Sequence, residues 1–153
     1  MAVEIERKFL VKGDFPREGG VKMVQAYLSD EDNVTVRVRT EDLRAVITVK
    51  GAQTGITRLE YEYEIPLEDA KELMKLAAGS LVEKTRYYHR RGDHTWEIDV
   101  FEGENQGLVV AEIELMGEAE NFDRPEWIDL DVSHDPRYAN SSLSREPFTK
   151  WIL

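Results

Sequence analysis

Glu4-Ile5-Glu6-Arg7-Lys8-Phe9-Leu10-Val11 decides the fold. Laid out as an extended chain, it puts Glu4, Glu6 and Lys8 on one face and Val3, Ile5 and Phe9 on the other, because strand side chains alternate sides. The same two-residue alternation returns down the chain: Arg37 and Arg39 against Val36 and Val38, then Lys50 against Ile47 and Val49. It continues with Glu60 and Glu62, Lys84 and Arg86, Glu97 and Asp99, and Glu112 and Glu114, each set opposed by apolar or aromatic neighbours. Strands are predicted over residues 2–11, 22–29, 34–40, 44–51, 57–65, 81–91, 94–101 and 108–116. Turn residues separate them at 30–33, 40–43, 51–55, 92–93 and 103–107. Over 67–78, Leu67, Ala70, Leu73, Met74 and Ala77 recur at helical spacing, with Gly79 as the stop. Arg124-Pro125-Glu126-Trp127 predicts the opening of a short helix, and Ser142–Leu153 a closing helical segment broken near Pro147.

An antiparallel sheet with one face in water alternates routinely, so a single strand of this kind means little. Seven strands that all place ionised groups on the polar face mean more, since a solvated face accepts Ser, Thr, Asn and Gln as readily. Six basic and eight acidic residues fall there. The expected architecture is therefore mainly β (α+β): an eight-stranded antiparallel tunnel barrel, closed or partly open, with a charged interior and a few covering helices. A barrel of about eight strands encloses space for side chains or one small ligand. Fourteen charges cannot be buried unpaired at a cost of several kcal/mol each. The interior must be wet, paired or occupied, and its basic groups suit a polyphosphate. Carboxylates beside that anion require hard divalent cations between them.

The remaining totals exclude alternatives. The 153 residues suit one domain over 1–153, with no repeat or linker to divide it. Cysteine is absent, which removes disulfides and thiolate metal sites. The net charge of −11 argues against nucleic acid as a partner. No apolar run reaches the ~18 residues of a membrane span. The first residues lack a signal-peptide core, so a cytoplasmic address is expected. His89, His94 and His134 are isolated, and 51–55 lacks the Lys-Ser/Thr of a phosphate-binding loop. Tyr61, Tyr63, Tyr87 and Trp96 on the outward faces exceed what the helical segments cover, which predicts a homodimer.

In order, Glu4-x-Glu6-x-Lys8, Arg37-x-Arg39, Lys50-Gly51, Glu60-x-Glu62, Lys84-x-Arg86, Glu97-x-Asp99 and Glu112-x-Glu114 resemble the CYTH superfamily, the triphosphate tunnel metalloenzymes. The tail Asp135-Pro136-Arg137-Tyr138-Ala139-Asn140 with Leu143 resembles the small bacterial members, although an aromatic is expected at Ala139. The resemblance implies a tunnel barrel, a divalent metal (Mg²⁺ or Mn²⁺) and a triphosphate-containing substrate. Its small bacterial branch implies hydrolysis of inorganic triphosphate to pyrophosphate and phosphate. A class IV-type adenylate cyclase, a thiamine or nucleoside triphosphatase, and a non-catalytic polyphosphate or nucleotide sensor are the alternatives.

Glu4, Glu6, Glu112 and Glu114 are the expected metal ligands, on first and last strands that meet when the barrel closes; salt bridges to neighbouring Lys or Arg are their plainer reading. Lys8, Arg37, Arg39, Lys50, Lys84 and Arg86 are assigned to phosphate oxygens, arginine as a planar fork and lysine as a mobile point charge. Glu60 and Glu62 support those cations or a second metal. Lys84 is the candidate for orienting or deprotonating the attacking water, because neighbouring cations depress a lysine pKa. Tyr27 is either a hydrogen-bond partner of Lys84 across the tunnel or an ordinary strand aromatic, and the two readings stay equally open.

Overall fold

The computed structural model describes residues 3–31 and 33–151. Nine strands form: β1 (Val3–Val11), β2 (Val21–Glu31), β3 (Val34–Glu41), β4 (Arg44–Lys50), β5 (Thr57–Ile65), β6 (Val82–Arg91), β7 (His94–Glu102), β8 (Val109–Glu114) and β9 (Ile128–Asp131). Helix α1 (Leu67–Met74) follows β5, and α2 (Asn140–Arg145) lies in the tail. All eight predicted strands are present within a residue or two. The predicted positions of Ala2, Asp32 and the last two residues lie outside the described residues.

The strand order is β5-β4-β3-β2-β6-β7-β8-β1-β9, and a further β5–β1 pairing closes eight strands into a ring. That ring is not evenly disposed about an axis. Strand β1 makes the closure. One edge pairs with β8 over Glu6–Leu10, while the other pairs with β5 over Val3–Ile5 and then with β9 at Phe9 and Val11. Strand β9 corrects the sequence reading, which placed a short helix at 124–127. Pro125 closes only a tight turn, its carbonyl accepting from Ile128 N at 3.0 Å, and the chain then extends because β1 offers an unfilled edge.

Three apolar clusters fix which side of the ring faces inward. Outside, Phe9, Trp96, Ile98, Ala111 and Ile113 are covered by Trp127, Ile128 and Phe122. Helix α1 lays Ala70, Leu67, Leu73 and Met74 over Val38 and Ala45. The third cluster is interior: Tyr27, Val82, Phe101 and Val110 pack against Leu143 of α2, with Tyr138, Phe148 and Trp151 beside them. The tail thus fills one end of the barrel with apolar side chains, and the charged lining occupies the rest. Trp96 is fully buried, whereas Tyr61 and Tyr63 are exposed, so only the β5 part of the expected outer apolar patch is free. No helix among the described residues is long and apolar enough to cross a membrane.

Candidate active site

The inward face encloses a cavity of about 240 Å³. Of the fourteen charged residues on the alternating face, all but Lys84 and Asp99 line it; those two are buried in its wall, 1% and 0% exposed. Parity alone thus carries twelve charged side chains to one space.

The cations sit on four strands. Arg37 Nη2 lies 3.5 Å from Glu62 and donates to Thr48 Oγ1 at 3.3 Å. Arg39 reaches Glu41 at 2.5 Å and Glu62 at 3.6 Å. Lys50 bridges Glu4 at 3.1 Å and Glu60 at 3.3 Å. Lys8 donates only to a carbonyl, Tyr138 O, at 3.1 Å, and has no carboxylate partner among the described residues. Both Arg37 Nε and Arg39 Nε are buried without an acceptor. Burial, Arg37 and Arg86 together pull the Arg39 pKa down, the direction expected where cations crowd without enough anion. Lys50 goes the other way: burial and Arg37 oppose its charge, but Glu4, Glu6 and Glu60 outweigh them and raise it.

Asp99 organises the far wall. Arg86 grips it with Nε to Oδ1 at 2.7 Å and Nη2 to Oδ2 at 2.9 Å, and Lys84 Nζ donates to Oδ2 at 2.7 Å. Burial disfavours the Asp99 charge, yet Arg86 and Lys84 overcome it and hold the carboxyl below its ordinary value. Burial also pushes Lys84 down to about 8, with Arg86 adding to the effect and Asp99 resisting it. Lys84 does not bond Tyr27. Its other acceptor is Asn140 Oδ1 at 3.1 Å, while the Tyr27 hydroxyl accepts from Gln25 Nε2 at 3.3 Å. Tyr27 lines the cavity and packs into the apolar end cluster, so of the two characters the sequence left open it has that of a strand aromatic and not that of a Lys84 partner.

Across the ring, the β1–β8 register sets Glu6 opposite Glu114 and Lys8 opposite Glu112. Burial first, then Glu112 and Glu4, push Glu6 well above the ordinary carboxylate value. Glu112 is held well below it, because Lys8 and Arg86 overcome its burial and Glu6 donates to it. One proton shared between Glu6 and Glu112, diagonal neighbours on β1 and β8, gives this split, and the pair titrates as a unit. Burial likewise raises Glu4, against Lys50, and raises Glu114. Four carboxyls that resist joint ionisation are the donor chemistry a hard divalent cation takes. They fit such an ion by type and position. Among the described residues, however, no three are already gathered closely enough to hold one, since Glu4 is drawn to Lys50 instead.

Several lining residues were given no role by the sequence reading, Arg58 and Asn140 among them. Arg58 shares the β5 parity of Glu60 and Glu62, and its Nε donates to Gly51 O at 3.1 Å; parity would have found it. Asn140 had no such signal, since only the fold of the tail brings it to Gln25 and Lys84.

Comparison with known proteins agrees with this geometry. An inorganic triphosphatase of Acetivibrio thermocellus is 46% identical over 151 residues, covering 97% of each chain. One from Nitrosomonas europaea is 36% identical over 148 residues, covering 92% of this chain and 96% of its own. A crystal structure of an inorganic triphosphatase matches with a TM-score of 0.68 at 35% identity, over 94% of this chain and 95% of that one. The CYTH domain model matches residues 2–145. A ring of strands whose inward parity is charged on β1, β3 to β8, and whose sequence matches that model nearly end to end, places the chain in the CYTH domain family.

Proposed function

We propose that the protein hydrolyses inorganic triphosphate to pyrophosphate and phosphate with the aid of a divalent metal. The observation that carries this reading is the pair of buried, acceptor-less Nε atoms on Arg37 and Arg39 in a cavity of about 240 Å³: cations built into a wall and short of anion oxygens. Names of the relatives support the substrate class, and membership of the family implies a divalent metal.

Arg37, Arg39, Arg86, Lys8 and Lys50 bind phosphate oxygens, where forks and point charges stabilise the negative charge of the transition state. Glu60 and Glu62 hold Lys50, Arg37 and Arg39 in place. Glu4, Glu6, Glu112 and Glu114 hold the metal, Mg²⁺ or Mn²⁺. When bound, that ion supplies charge neutralisation between carboxylates and phosphate and polarises phosphate oxygens. A water oxygen forms the new bond to the terminal phosphorus, the bridging P–O bond breaks, and pyrophosphate leaves with the electron pair. Lys84, pushed down to about 8, takes or orients the water's proton; one of its three N–H donors has no described acceptor. Tyr27 stands beside Arg37 in the same wall. A single domain over 1–153, a cytoplasmic address, no nucleic acid or membrane partner, and a homodimer through Tyr61 and Tyr63 complete the proposal. Light scattering of the free protein checks the last.

The test is a matched panel of inorganic triphosphate, ATP, thiamine triphosphate and pyrophosphate with Mg²⁺, following phosphate release and cyclic AMP. Inorganic triphosphate should be cleaved fastest, because a wall of long charged chains surrounds a bare polyanion while a nucleoside adds bulk without repayment. Cyclic AMP as the main ATP product, faster thiamine triphosphate turnover, or tight binding without release across several metals would each overturn it.

A further inference from the structure

Asn140 belongs to the C-terminal tail, yet its side chain ends inside the barrel. Oδ1 accepts from Lys84 Nζ on β6 at 3.1 Å and from Gln25 Nε2 on β2 at 3.1 Å, and the residue lines the cavity. Gln25 is fully buried and Lys84 nearly so. The chemistry fixes which end of the amide points where. An ammonium has donors only, so the atom facing Lys84 must be the oxygen. With that settled, Gln25 must donate as well, which leaves its own Oε1 buried and without a partner. A buried acceptor left unsatisfied costs stability. The arrangement keeps that cost and in return presents two donors to one oxygen. Spending Oδ1 on protein donors also leaves the Asn140 Nδ2 donors without a described partner, on a residue that lines the cavity.

We infer that Asn140 is a positioning residue for Lys84: the tail delivers the second acceptor that, with Asp99, fixes the ammonium at the cavity wall. The inference rests on the triphosphatase reading for its kinetic consequence only. Around Lys84 stand Asp99 and Glu97 on β7, Arg86 on β6, Glu112 on β8, the Phe101 ring at 5.6 Å, and Asn140. Of the hydrogen-bond partners, Asn140 is the neutral one, and it arrives from the tail rather than the barrel. Tail docking and the state of Lys84 are thereby tied together. Leu143, fully buried three residues on, seats the same segment in the apolar end of the barrel.

The test titrates Lys84 by its ¹³Cε resonance in the full chain without substrate, in wild type, Asn140→Ala and Asn140→Asp, with the signal assigned by its loss in Lys84→Arg. Removing a neutral acceptor disfavours the charged form, so Asn140→Ala should lower the titration midpoint by about one pH unit, the scale of one charge-assisted hydrogen bond. Asn140→Asp puts a carboxylate beside the ammonium and should raise it. In turnover of inorganic triphosphate on the alkaline plateau, where Lys84 is neutral in both proteins, Asn140→Ala should lower kcat about tenfold with a much smaller change in KM, because the amine is no longer held in place. Asn140→Asp keeps the shape of the side chain, so it carries the test if the alanine variant fails to fold. Midpoints that stay put, or that move the same way in both variants, overturn the inference. So does a rise in KM with kcat unchanged. Because the titration is read without substrate, its failure is distinct from failure of the triphosphatase reading, which the wild-type panel decides.

Discussion

Arg37 and Arg39 hold fixed positive charge in a partly dry wall, while Lys84 is a charge the wall half removes. The difference is chemical. A guanidinium stays protonated under any working condition, so burial leaves Arg39 lowered but still cationic. An ammonium yields, and burial brings Lys84 to about 8. An arginine clamp acts on ground and transition states alike, whereas a proton-handling group acts mainly in the transition state. Arg39→Ala is therefore expected to raise KM and lower kcat together, and Lys84→Ala to lower kcat with KM nearly kept. The pH dependence has a definite sign. Raising pH through about 8 neutralises Lys84 and frees its lone pair, so a basic role predicts kcat rising across that range in wild type and flat in Lys84→Ala. Initial rates from pH 6 to 10 check it; an unchanged limb in the variant would remove Lys84 from proton transfer. Most of these assignments were legible in the sequence because each rests on strand parity. The bond raised between Tyr27 and Lys84 is absent, because parity says that two side chains face one lumen, not which atoms meet across it.

Among the elements, β1 carries the most. Its three pairings close the ring and set Glu6 against Glu114. Removing charge at that pair while keeping shape tests the metal proposal: Glu6→Gln and Glu114→Gln should abolish Mg²⁺-supported hydrolysis and leave circular dichroism unchanged. Mg²⁺ should raise the melting temperature of wild type and fail to raise that of Glu6→Gln, since a ligand stabilises only the state that binds it. Near-normal activity in both variants would take these residues out of the site. The link after α1 is equally specific. A Cβ on Gly79 would meet Ser144 O at 2.6 Å, beside the Ser80 N to Ser144 O bond of 2.8 Å that ties this link to α2. Gly79→Ala should cost about 1–3 kcal/mol by overpacking against backbone, read by urea unfolding, and should loosen the tail that carries Asn140. A stability equal to wild type would show that the contact yields freely. Strand β9 shows why one element was misread: its four residues pair with β1 because an edge was free, and a four-residue segment has too little periodicity to announce itself.

For the whole molecule, the net charge of −11 coexists with a cavity lined by Lys8, Arg37, Arg39, Lys50, Arg58 and Arg86 because strand parity sets these cations inward while most of the 31 acids lie off that face. What the sequence determined by itself was everything that follows from a local repeat: which residues extend, which side each charge takes, and that so many charges on one face need a shared, wet or occupied interior. A strand's period is a property of its own backbone, so it can be read one segment at a time. Tertiary structure alone decided how far the charged lining runs and who pairs with whom. Leu143, Phe148 and Trp151 close one end of the barrel, Asp99 is locked between Lys84 and Arg86, and Asn140 reaches Lys84 from 56 residues away. Those contacts depend on register, ring closure and the docking of the tail, which are sums over the whole chain and leave no mark in any single stretch of it.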